Sequence, residues 1–100
     1  MAYSLELSVL SEIERVFSDL SDIDYVERVL ETATLPEADS GPAPRVHIAL
    51  LWLSRGHIKR FDHELSIARS DCRDSLLRAG LAGFDWKQVL LQRGVDCRAW

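Results

Sequence analysis

All three prolines of this chain lie between residues 36 and 44, and no apolar run approaches the roughly 18 residues that a membrane-spanning helix needs. The first absence leaves helices free to run on either side of one short segment. The second, with residues 1–12 holding two acids and no base, predicts a chain that is neither secreted nor anchored, and so a cytoplasmic one. Cysteine is scarce as well. Cys72 and Cys97 suffice for one bridge, but in a cytoplasmic chain they read as reduced thiols. Lysine is outnumbered by arginine two to ten, a bias that genome composition explains as well as recognition does, and it carries no functional weight. Alternation with period two is missing over any useful length, which excludes a convincing strand.

Chemistry-bearing patterns are missing too. His47, His57, His63, Cys72 and Cys97 are the soft ligands, yet the nearest pair, His57 and His63, is six residues apart on different faces of one helix, so no metal site is expected. No G-x-S-x-G turn or catalytic-cysteine signature surrounds a candidate nucleophile. The run Asp62-His63-Glu64 places neighbours in different directions around a helix and reads as a solvated face. Gly80-Leu81-Ala82-Gly83 reads as a helix end and a turn, since the strand and dense basic flanks of a phosphate-clamping loop are not there. Neither catalytic residues nor a cofactor are expected, and the chain reads as a non-enzyme.

What is present is helical periodicity and a charge asymmetry. One hundred residues, 47 % apolar and 28 % charged, make one domain able to bury on the order of 60–65 % of its unfolded surface without a staple. Leu5, Val9, Ile13, Val16, Phe17 and Leu20 mark a first helix starting near Ser4. Ser21-Asp22-Ile23-Asp24 reads as a stop and restart, and Ile23, Val26, Val29, Leu30 and Ala33 mark a second helix forming a hairpin with the first. Residues 35–44 form a Pro/Gly linker, with Pro44 suited to the first turn of a third helix. Residues 46–53 are apolar at nearly every position, which predicts a central helix buried all round, ended by Gly56 in the left-handed conformation; Leu50 and Leu53 are expected to be buried, with Leu53→Ala costing about 2–5 kcal/mol. Ile58, Phe61, Leu65 and Ala68 mark a fourth helix. Ser70 is expected to cap a short fifth that closes at Gly80 and Leu81, and Asp85 with Gln88 a sixth that closes at Gly94 and Val95. The fold expected is therefore all-α: a compact five- or six-helix domain with an acidic helical hairpin (1–34), a linker (35–44) and a helical cluster around a central apolar helix (45–100).

Residues 45–82, with an apolar helix closed by Ser54-Arg55-Gly56, an amphipathic helix and then Ser70-Asp71-Cys72-Arg73-Asp74-Ser75-Leu76-Leu77, resemble a pattern met in small uncharacterised bacterial and phage proteins. In that pattern the position of Cys72 is usually aromatic and that of His57 usually acidic. The resemblance implies an all-helical fold in a bacterial or phage cytoplasm and no particular activity.

The charge asymmetry points to a function class. Residues 1–44 hold ten acids against Arg15 and Arg28, a net of −8, whereas residues 45–100 hold ten bases against six acids. An acidic hairpin bearing Glu12, Asp19, Asp24, Glu27 and Glu31 fits docking on another protein with a basic surface, as in a small anti-CRISPR-like inhibitor of a nucleic-acid-binding effector. The alternative is a nucleic-acid or regulatory module using the basic helices through Lys59, Arg60 and Arg69. Local pairs Arg60 with Glu64 and Asp74 with Arg78 are expected to dilute that patch. Trp52 and Trp86 read as core, and Trp100 either folds back or stands out as a contact residue.

Overall fold

Residues 46–51 are all buried, and the rest of the chain is arranged around them. The structure is a computed structural model that describes residues 5–32, 43–98 and 100. Among these residues there are six α-helices and no strand: α1 (Leu7–Val16), α2 (Leu20–Thr32), α3 (Ala43–Ser54), α4 (Ile58–Ser70), α5 (Cys72–Ala79) and α6 (Trp86–Gln92). The central position of α3 follows from its composition, since a helix without a polar face finds no stable place at a surface. It packs on α5, α4 and α1, while α2 packs on α1. Phe61 of α4 is fully buried and meets Phe17 and Tyr25 edge-on, at 6.3 and 6.5 Å between ring centroids, which ties the hairpin to the helical cluster. No helix among the described residues is long and apolar enough to cross a membrane.

The α3–α4 turn depends on glycine. Arg55 and Gly56 both have positive φ, and a Cβ on Gly56 would lie 2.7 Å from the Val16 carbonyl oxygen at the end of α1. Gly80 has the same φ of +80°, yet a Cβ there would meet nothing within 4 Å. Alanine at either site incurs the left-handed penalty of about 1–2 kcal/mol, but only Gly56→Ala adds a backbone clash, so it should cost about 1–3 kcal/mol more than Gly80→Ala in urea titration. Equal losses would show that α1 can draw away from the turn freely.

Several expectations need correction. The first helix starts at Leu7 with Glu6 as its N-cap, later than the expected start near Ser4. Ala33 and most of the 35–44 linker lie outside the described residues; Pro44 does sit in the first turn of α3. The hairpin breaks at residues 17–19, earlier than Ser21. Phe17 leaves α1 in extended conformation with its ring in the core, and the Asp19 carboxylate accepts from the Ser21 N–H at 2.8 Å, so the acid and not the serine caps α2. Leu20 consequently leaves the apolar stripe of α1 and is 82 % exposed. At the α4–α5 corner Ser70 ends α4, and the Asp71 side chain accepts from the N–H groups of Arg73 and Asp74. Asp85 holds the N-cap position of α6 without a capping side-chain hydrogen bond. Leu50 is fully buried, but Leu53 is only half-buried, and Leu51 takes the inward place expected of it. A truncation at Leu53 therefore empties less core than the periodicity implied.

The endings of α5 and α6 match the sequence reading. The Leu81 N–H donates to the Leu76 carbonyl at 2.8 Å and the Val95 N–H to the Leu90 carbonyl at 2.9 Å, beside Gly80 and Gly94 with positive φ. All three tryptophans are half-buried and pack against the core. The Arg93 guanidinium covers Trp52 at 4.6 Å and Arg45 covers Trp86 at 4.8 Å. Trp100 folds back, its N–H donating to the Cys97 carbonyl at 3.1 Å and its carbonyl accepting from Lys87 at 2.7 Å.

Candidate functional site

The acidic hairpin sorts its carboxylates into two kinds. Glu12 is 5 % exposed and belongs to the interior: it accepts from the Trp52 indole N–H at 2.6 Å and pairs with Arg15 at 3.1 Å. Its placement among surface acids is therefore corrected. Period alone put it beside the apolar stripe, and nothing in the sequence showed that a tryptophan N–H on α3 would need an acceptor there. Asp19 is exposed and spends one oxygen on the α2 cap. The remaining acids are organised by helix geometry. Leu20, Asp24, Glu27 and Glu31 follow one another at steps of four, three and four, so they form one stripe along α2 that flanks the side of buried Val26 and Leu30, with Leu20 and Asp24 exposed and Glu27 and Glu31 half-buried. Asp24 pairs with Arg28, and Glu27 and Glu31 have no ion pair among the described residues.

The basic candidates do not share a stripe. Arg60 and Arg69 are nine residues apart on one uninterrupted helix, two and a half turns, and so leave α4 from opposite flanks; Lys59 lies between them on the outer face. The expected pair of Arg60 with Glu64 is not formed. Glu64 is buried and its two carboxylate oxygens accept from Arg78 Nη1 at 2.8 and 2.7 Å, while Arg78 Nε donates to Asp74 at 2.9 Å, the i, i+4 pair that spacing predicted. Asp62 turns to the hairpin and accepts from the Tyr25 hydroxyl at 2.6 Å. That hydrogen bond holds the tyrosine pKa above its usual value and fastens α2 to α4.

The described interior also holds two cysteines, a histidine and Ser75. Cys72 and Cys97 are buried cysteines whose Sγ atoms donate to the carbonyls of Ala68 and Lys87 at 3.2 and 3.3 Å. His47 is 4 % exposed, and burial pulls its pKa from 6.5 to about 4, so the imidazole is neutral at physiological pH. The buried Ser75 hydroxyl has no hydrogen-bond partner among the described residues. Among the described residues no three His, Cys, Asp or Glu side chains converge as a metal site.

One surface was not visible in the sequence. Arg45, Arg73, Leu76, Leu77 and Ala82 line an open groove of about 500 Å3 between the start of α3 and α5. Its signal, in retrospect, is Leu77, an apolar residue beside inward Leu76 that one narrow helix face cannot also bury. Compared with known proteins, the chain matches no family model, no curated protein and no solved structure.

Proposed function

We propose that this chain is a non-catalytic binding protein whose α2 stripe docks on a basic surface of another protein. The observation that carries the reading is the alignment of Asp24, Glu27 and Glu31 behind an exposed Leu20, which joins three carboxylates to one apolar anchor on a single helix face. A stripe of this kind suits a surface that otherwise holds nucleic acid, where regularly spaced carboxylates replace phosphates and the leucine adds contact that phosphates lack. A small inhibitor of a nucleic-acid-binding effector is the concrete form of the proposal. Nucleic-acid binding through Lys59, Arg60 and Arg69 is the second reading. It is favoured by the freedom of Arg60 from Glu64 and by the short glycine turn between α3 and α4, and it is weakened by the opposed flanks of Arg60 and Arg69.

Reversal of Asp24, Glu27 and Glu31 to lysine should leave stability within about 1 kcal/mol, because the removed Asp24–Arg28 pair is solvent-exposed. The same variant should lose the proteins that the wild type captures from the source organism's lysate, with capture by the wild type falling as salt rises. Reversal of Lys59, Arg60 and Arg69 to glutamate should retain them. If the basic-face variant alone loses its partners, or loses salt-dependent binding to duplex DNA or RNA, the acidic stripe is not the working surface.

A further inference from the structure

Folding leaves α2 and α4 with unbalanced charge of opposite sign. On α4 the acids are drawn away from the outer face: Glu64 is buried against Arg78, and Asp62 turns to the Tyr25 hydroxyl of its own α2. Lys59, Arg60 and Arg69 are exposed, and no acid pairs with any of them among the described residues. On α2 the sign is reversed, since its one base, Arg28, is engaged by Asp24, and Glu27 and Glu31 have no ion pair among the described residues. The two helices also match in register. Each has 13 residues, and Lys59, His63, Ser66 and Ser70 of α4 follow one another at the same steps of four, three and four as Leu20, Asp24, Glu27 and Glu31 of α2. All four α4 positions are exposed, so they form a stripe roughly 16 Å long on its outer face, equal in length to the α2 stripe. Arg60 and Arg69 stand on the two flanks of that stripe, which suits a helix laid between them better than a single run of phosphates.

We infer that the α4 stripe is a docking site for the α2 stripe of a second copy of this chain, with the two helices antiparallel. In that orientation Glu31 comes level with Lys59 and beside Arg60, Glu27 with His63, Asp24 with Ser66 and beside Arg69, and Leu20 with Ser70. Parallel docking would set Leu20 on Lys59 and Glu31 on Ser70, and it would also align the two helix dipoles unfavourably. Ser66 and Ser70 are small enough to let the helices approach, and the aliphatic stem of Arg69 gives exposed Leu20 an apolar cover. The contact joins two different surfaces, so it is heterologous, and every copy carries one stripe of each kind. The inference rests on the reading of α2 as a docking stripe and adds a second copy of the chain to what that stripe takes.

The test is sedimentation equilibrium of the purified full chain. At low salt its average mass should rise above 11.4 kDa as concentration increases to about 1 mM, and high salt should suppress the rise. Reversal of Glu27 and Glu31 to lysine, and separately of Lys59 and Arg60 to glutamate, should each weaken the association about tenfold or more while keeping the wild-type circular dichroism. Mixed in equal amounts, the two variants should associate within about threefold of the wild type, because the reversed α2 of one meets the reversed α4 of the other. The inference is overturned if the wild type stays monomeric, if either variant associates as the wild type does, or if the mixture associates no better than its components. The two readings fail separately. A chain that stays monomeric yet captures partners through α2 overturns the self-contact alone, and a chain that associates with itself but captures nothing overturns the partner reading alone.

Discussion

Phe61→Ala should destabilise the protein by about 3–5 kcal/mol, the largest effect expected of any truncation described for this chain. The ring is fully buried and bridges two parts of the molecule, with Phe17 on one edge and Tyr25 on the other. Its removal deletes transfer free energy, leaves a cavity where α4 meets the hairpin, and forfeits two edge-to-face contacts together. Urea unfolding should show a lower midpoint with little change in slope. A loss of about 1 kcal/mol or less would mean that the hairpin collapses onto α4 and refills the space.

Acid should unfold the protein sooner than its carboxylates alone would require, and His47 is the reason. In the folded chain its pKa is about 4, against an ordinary 6.5. Above pH 6.5 both states hold a neutral imidazole and the residue contributes no pH dependence. As the pH falls below that value the unfolded state takes up a proton that the folded state refuses, so stability declines until the folded pKa near 4 is reached. The gap between the two values corresponds to about 3 kcal/mol over that window. His47→Leu, which keeps the volume and removes the titration, should flatten the decline between pH 6.5 and 4.5 in urea titrations. Parallel declines in wild type and variant would show that the imidazole charges freely within the fold.

Much of the architecture is written in local signals. Gly56, Gly80 and Gly94 each end a helix where the apolar period stops, and at Gly80 and Gly94 the bonds that close the helix run between near neighbours in sequence. The errors share a different origin. Asp19 and Asp71 hold the cap places expected of Ser21 and Ser70, Asp19 accepting one backbone N–H and Asp71 two; aspartate and serine cap about equally well, so the residue types alone did not decide between them. Glu12 and Glu64 were read as surface acids because each sits beside its helix's apolar stripe. Their partners, Trp52 and Arg78, lie 40 and 14 residues away, and no local rule reports such a distance. Asp24, Glu27 and Glu31 fall at steps of three and four wherever α2 starts, whereas Leu20 joins their stripe only because α2 starts at it, behind the Asp19 cap, and not after Ser21. The groove was not legible at all, since it is made by the approach of α3 and α5.

Asp71 is the single residue between α4 and α5. Its N–H donates to the Ile67 carbonyl at 2.8 Å and closes one helix, while its carboxylate accepts from Arg73 and Asp74 at 3.1 and 3.3 Å and opens the next. The corner therefore has no slack in chain length. One inserted residue would turn α5 by about 100° about its own axis, carrying Leu76 to the exposed place of Leu77 and leaving Ser75 in the core place of Leu76. Sequence length at this corner is thus a fixed quantity of the fold, and divergence within the lineage should substitute residues on both helices while leaving the spacing from Ala68 to Leu76 untouched.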